Sequence, residues 1–159
     1  MLKAEILDTL LRMRNNSKPG KYFSLVAVPQ DDSKPGGRQL ENLPSIVGSV
    51  DLILLQKEDV LRFIEGASEY MYVSGMAVHN EYKRQGIGTL LLKGVESKVK
   101  ALGIQYIALQ VYAENHVAQT LYEKAGYQAV HTSSAWALET MLPGTQGKRR
   151  VLMIKRMTS

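Results

Sequence analysis

The chain contains no cysteine. That excludes disulfides, thiolate-ligated metal and a covalent acyl-enzyme on a cysteine sulfur. No apolar run approaches the roughly twenty residues that cross a bilayer, and no signal-peptide pattern is visible. The expectation is a soluble protein without a membrane partner, in the cytoplasm, or in the plastid stroma of a photosynthetic eukaryote. Basic runs interleaved with aromatics are lacking, which argues against nucleic acid as a partner. His116 and His131 lack the spaced carboxylates or cysteines of a metal set, so no metal is expected.

What is present is ordinary for one globular domain. The 159 residues are 45% hydrophobic and 22% charged, enough for a single substantial core spanning 1–159. The net charge of +5 suits a ligand with several phosphates.

The most informative stretch is Val73 to Gly88, VSGMAVHNEYKRQGIG. A hydrophobic strand through Val78 is followed by a polar turn. A basic, glycine-punctuated segment then opens a helix whose apolar pattern continues to Leu102. Backbone N–H groups at a helix start lack partners and carry partial positive charge, which makes an anion cradle. Gly86 and Gly88 lack the Cβ atoms that would hold a phosphate away, and Lys83 and Arg84 add full charges. The segment lacks the Gly-Lys-Ser/Thr ending of a triphosphate loop. It also lacks the third glycine and downstream acid of a dinucleotide fold.

A second pattern follows. Gly103 ends the helix, and Ile104 to Tyr112 reads as a strand. Asn115 then caps a helix with Ala118, Leu121, Tyr122 and Ala125 on its buried stripe, and Gly126 stops it.

Together these two motifs, Lys83-Arg84-Gln85-Gly86-Ile87-Gly88 and Asn115 to Tyr127, closely resemble the acetyl-CoA-binding core of the GNAT N-acyltransferase superfamily. The resemblance covers roughly Tyr70 to Val130. Lys83 departs from the Gln or Arg usual at the first loop position, whereas the second motif matches throughout. The pattern around Tyr72 to Val78 and the Gly147-Lys148-Arg149-Arg150-Val151-Leu152-Met153 ending loosely resemble plastid and cyanobacterial members. The resemblance implies an α/β GNAT fold with a mixed, mostly antiparallel sheet flanked by helices. It implies N-acetyltransferase activity, moving the acetyl group of acetyl-CoA directly to a primary amine on a protein or a small molecule. Met76, Ala77 and Val78 would contact the pantetheine arm. Arg84, Gln85, Gly86, Ile87, Gly88 and Thr89 would hold the pyrophosphate, and Asn115 would bond near the arm's end. Tyr122 would be the general acid.

The base stays open. The strand positions that carry glutamate in some members correspond to Tyr72 and Gln110, which leaves a water chain, His79, Glu69 or Glu114. Trp136, Tyr70 and Tyr72 are candidates to line the acceptor cleft, and the segment Leu138 to Arg150 to shape acceptor choice. A homodimer is compatible with the fold. The alternative is a non-catalytic acyl-CoA-binding regulatory module, which needs no acid.

Elsewhere, Leu2 to Arg14 reads as an amphipathic helix with Ile6, Leu7, Leu10 and Leu11 on one side. The family's first strand would then be missing from the sheet edge. Tyr22 to Val28, Ile46 to Leu55 and Tyr70 to Val78 read as strands, Pro29 to Asn42 as a loop, and Gln56 to Ser68 as a connection with a helical turn. Tyr127 to Trp136 and Arg149 to Arg156 read as closing strands.

Overall fold

The computed structural model describes residues 4–9, 21–29, 46–133 and 148–158. Seven strands form one sheet: β1 (Ala4–Thr9), β2 (Tyr22–Pro29), β3 (Gly48–Leu55), β4 (Tyr70–Val78), β5 (Tyr106–Tyr112), β6 (Gln128–Thr132) and β7 (Arg150–Arg156). Their order is β1-β2-β3-β4-β5-β7-β6. Every neighbouring pair is antiparallel except β4 and β5. The parallel pair requires a crossover, and α2 (Ile87–Ala101) supplies it. The short α1 (Glu58–Leu61) precedes β4, and α3 (His116–Lys124) follows β5.

The central strands are buried on both faces. On one face Leu25, Val50, Leu52, Met71, Ile107 and Met153 pack with Leu91, Val95 and Val99 of α2 and Tyr122 of α3. On the other, Tyr70, Ala108 and Ile154 pack with Val60 of α1 and Phe63 just after it. This two-sided burial explains why β5 reads as a near-continuous apolar run rather than an alternating one.

Two expectations for the N-terminal region fail. Ala4–Thr9 is a strand, not part of a helix, and it pairs with β2 from Ala4↔Pro29 to Thr9↔Ser24. The sheet edge expected to be vacant is therefore occupied. The spacing of Ile6, Leu7, Leu10 and Leu11 does fit a helical period. But pairing along the free edge of β2 satisfies backbone polar groups in a way local periodicity does not reveal. Residues 10–14, the loop expected over 30–42, Trp136 and residues 138–147 lie outside the described residues. The other expected strands and helices form within a few residues of their anticipated ends.

Candidate active site

The site begins where two strands part. β4 runs beside β5 for three register pairs only, Met71↔Ile107 to Val73↔Leu109. At that point β4 carries a bulge. Leu52 of β3 faces Val73 and Asp51 faces Gly75, which leaves Ser74 as the extra residue. A bulge bends its strand and increases local twist. Beyond it β4 stays with β3 as far as Val78↔Gly48, while β5 stays with β7 as far as Tyr112↔Arg150. Among the described residues, the β5-facing backbone of β4 past Ser74 has no strand partner.

The gap is a cleft of about 390 Å³. Ser74, Gly75 and Met76 line it on the β4 side, and Gln110, Val111 and Tyr112 on the β5 side. Asn115, Ala118 and Tyr122 contribute from α3, with Tyr72 and Arg150 from the sheet. An added Cβ on Gly75, which lines the cleft, would meet no atom of the described residues within 4 Å.

The phosphate-cradle candidate lies at the end of β4. His79 Nδ1 accepts a hydrogen bond from the Glu81 N–H at 3.3 Å, which starts a 3₁₀ turn over Asn80–Tyr82. The chain then takes left-handed backbone at Arg84 (φ 63°) and Gly86 (φ 79°). Such left-handed residues turn successive N–H groups to one side, the form of an anion-binding nest. Leu90 N–H makes the first bond of α2, to Gly86 O at 3.0 Å. The amides of Ile87, Gly88 and Thr89 come before it and have no intrahelical acceptor. Lys83, Arg84 and Gln85 are exposed beside them.

The two loop glycines differ in role. Gly86 needs its positive φ. Gly88 is a packing glycine, because a Cβ there would lie 3.1 Å from Leu121 Cδ2 on α3. The sequence expectation that its missing Cβ makes room for phosphate is corrected accordingly. A third glycine was not anticipated. A Cβ on Gly48 would lie 2.9 Å from Ile87 Cγ2 and 3.2 Å from Ala77 O, so the start of α2 sits directly against β3. A lone glycine in a strand hints at close approach, but which partner approaches is a tertiary fact.

α3 is fastened at both ends. Asn115 Oδ1 accepts from the Ala118 N–H at 3.1 Å, the anticipated N-cap. That bond leaves the amide's two N–H donors available. Gln119 Nε2 donates to Tyr112 O at 3.1 Å and to Ala113 O at 2.8 Å, tying the helix to the end of β5. At the far end Lys155 Nζ donates to Ala125 O at 2.6 Å and pairs with Glu96 of α2.

Tyr122 is therefore held on a fixed helix. It is only 9% exposed yet lines the cleft. Its ring meets Tyr127 edge-on at 5.9 Å. Burial disfavours the phenolate and pushes its pKa up.

The base candidates separate. Tyr72 and Gln110 both line the cleft. Burial raises the Tyr72 phenol, with Arg150 opposing that rise. Glu114 faces Lys148 at 3.6 Å, and His79 is engaged in its turn. His131 stacks on Phe63, and Glu69 lies away from the cleft. Tyr70 is buried in the opposite core, which corrects its expected place in the acceptor cleft. Among the described residues no Asp, Glu or His lines the cleft, and no three such side chains cluster to hold a metal.

Known proteins share both the sequence and the architecture. The chain is 35% identical over 154 residues to GCN5-related N-acetyltransferase 10, chloroplastic, of Arabidopsis thaliana, covering 97% of this chain and 57% of that protein. It is 31% identical over 143 residues to GCN5-related N-acetyltransferase 6, chloroplastic, of the same plant, covering 81% of this chain and 49% of that one. The chain thus spans about half the length of these curated relatives. In fold it resembles Arabidopsis thaliana NAA60, solved in complex with acetyl-CoA, with a TM-score of 0.68 and 20% identity over 88% of this chain and 78% of that one. The acetyltransferase (GNAT) family profile matches residues 10–127, which takes in the splayed strands, the glycine loop and the Asn-capped helix. By sequence and by fold, the chain belongs to the acetyltransferase (GNAT) family.

Proposed function

We propose that this chain is an N-acetyltransferase that moves the acetyl group of acetyl-CoA directly to a primary amine, on a polypeptide or a small molecule. The observation that carries this reading is the opening of β4 from β5 beside the bare amides of α2. An acyl-CoA has an extended amide-bearing arm and a diphosphate, and the two features match those needs in order. The unpaired edge of Met76, Ala77 and Val78 would pair with the arm. The amides of Arg84, Gln85, Gly86, Ile87, Gly88 and Thr89 would bond the diphosphate, with the positive end of the helix dipole behind them. The free amide N–H groups of Asn115 would bond the arm near its end.

When bound, acetyl-CoA supplies an activated acyl carbon and a thiolate leaving group. The protein's contribution is placement and proton handling. A backbone N–H of the β4 edge would stabilise charge on the thioester oxygen. Tyr122 would donate its proton to the departing sulfur. Its raised pKa keeps it protonated at neutral pH, which an acid requires. With no carboxylate or histidine lining the cleft among the described residues, proton removal from the amine would fall to water, for which Tyr72 and Gln110 on the cleft wall offer hydrogen-bonding groups. The chloroplastic location of the two plant relatives favours the plastid stroma.

Titration calorimetry with acetyl-CoA, paired with thiol release in the presence of amine panels, tests the reading. Expected are saturable coenzyme binding weakened by Gly86→Val, and thiol release that depends on an amine. Coenzyme uptake that survives Gly86→Val, or binding without turnover of any amine, would overturn it.

A further inference from the structure

Tyr112 closes the outer end of β5, and positive charge gathers around it. Arg150 Cζ lies 5.2 Å from the Tyr112 ring centroid and Lys148 Nζ lies 5.4 Å from it. The two cations are not equivalent. Lys148 has Glu114 at 3.6 Å and stands outside the cleft lining. Arg150 lines the cleft and has no carboxylate partner among the described residues. It is the one formally charged side chain lining the cleft among those residues.

Arg150 is also well anchored. Its backbone pairs with Tyr112 in the sheet. Its N–H donates to Ser133 Oγ at 3.0 Å, and its carbonyl accepts from the Ser133 N–H at 2.9 Å. Nη2 donates to the Tyr112 hydroxyl at 3.4 Å. The backbone contacts anchor the residue, the Tyr112 ring and hydroxyl orient the guanidinium, and most of its five N–H donors have no partner among the described residues. A planar, pre-placed fork of donors is suited to a carboxylate, which it can grip with two parallel bonds.

We propose that the amine accepted by this cleft carries a carboxylate a few bonds from its nitrogen, and that Arg150 receives that carboxylate. The inference rests on the acetyltransferase reading and adds the acceptor class. Basic groups beside the amine are disfavoured by the same charge. The carboxylate has two sources: the α-carboxylate of a free amino acid, or an acidic side chain at the start of a polypeptide.

Thiol release from acetyl-CoA is measured with two matched pairs: alanine against alaninamide, and tetrapeptide amides headed by Glu against Gln. In one pair, wild-type kcat/KM favours the carboxylate member by about tenfold or more, the scale of a charge-assisted pair. The responding pair identifies the source. Arg150→Gln brings that ratio towards one while coenzyme affinity by calorimetry holds. Arg150→Lys keeps part of the ratio, and Arg150→Glu turns preference towards a Lys-headed peptide. Ratios near one in both pairs, or a ratio that survives Arg150→Gln, overturn the inference. Turnover of amines with no carboxylate preference sinks this inference alone. Bound coenzyme with no turnover of any acceptor sinks the catalytic reading as well.

Discussion

Substituting Gly48 by alanine tests the contact that sets the coenzyme loop against the sheet. The new Cβ would sit 2.9 Å from Ile87 Cγ2, 3.1 Å from Leu91 Cδ1 and 3.2 Å from Ala77 O. Carbon atoms rest about 3.5–4.0 Å apart, so the overlap with Ile87 is at least about 0.6 Å. Leu91 can yield by rotating a terminal methyl. Ile87 cannot yield so easily, because it is β-branched, 4% exposed and the first residue of α2. Relief has to come from lifting the first turn of α2 or displacing β4 at Ala77. Those are the two backbones proposed to hold the diphosphate and the pantetheine arm. Overpacking of this kind costs about 1–3 kcal/mol. For a chain of this size that is a fall in Tm of about 2–12 °C. Coenzyme affinity should fall with it, by about tenfold for each 1.4 kcal/mol lost from the bound geometry. Thermal melts and calorimetry on the same preparation give both quantities. Wild-type melting together with wild-type coenzyme affinity would show that α2 is not seated on β3 as described.

Gly75→Ala should separate the two effects, because its Cβ meets no atom of the described residues within 4 Å and sits on the cleft wall. Tm should stay within about 2 °C of wild type, as for a substitution within about 0.5 kcal/mol, while calorimetry shows weaker acetyl-CoA binding. Tyr122→Phe should cut kcat by about 10²-fold or more, as loss of a general acid does, with coenzyme Kd nearly unchanged. Burial raises the phenol's pKa, so its protonated, active form persists to higher pH than that of an ordinary phenol. The wild-type kcat profile should therefore show no loss of the acid through neutral and mildly alkaline pH and fall only beyond the ordinary phenol range, and Tyr122→Phe should lack the fall. Asn115→Ala removes the bond to the Ala118 N–H and should destabilise α3 by about 0.5–2 kcal/mol. Asn115→Asp keeps the cap and should restore Tm, but not coenzyme affinity, because it lacks the amide N–H donors.

Much of the site was legible before folding because its signals are local. A glycine needing positive φ at 86, an asparagine three residues before the amide it caps, and helices closed by glycines at 103 and 126 are near-neighbour effects. The apolar periods of α2 and α3 belong to the same class. Ser74's place in the bulge was only hinted at by the neighbouring Gly75, since it takes β3 to define the mismatch.

The linear order of residues by itself determined the local conformations and the chemical groups on offer: bare amides, one capping amide, a phenol, and no thiol. Tertiary structure alone decided which of these meet. Pairing with β2 made a strand of Ala4–Thr9 despite its helical spacing. The packing of Ile87 on Gly48 and of Leu121 on Gly88 gave those glycines their purpose. Burial of Tyr70 behind the sheet removed it from the cleft, while β7, entering between β5 and β6, brought Arg150 to its wall. The reason is range. Propensity and capping act over a few residues, whereas strand pairing, close packing and the facing of charges join positions tens of residues apart.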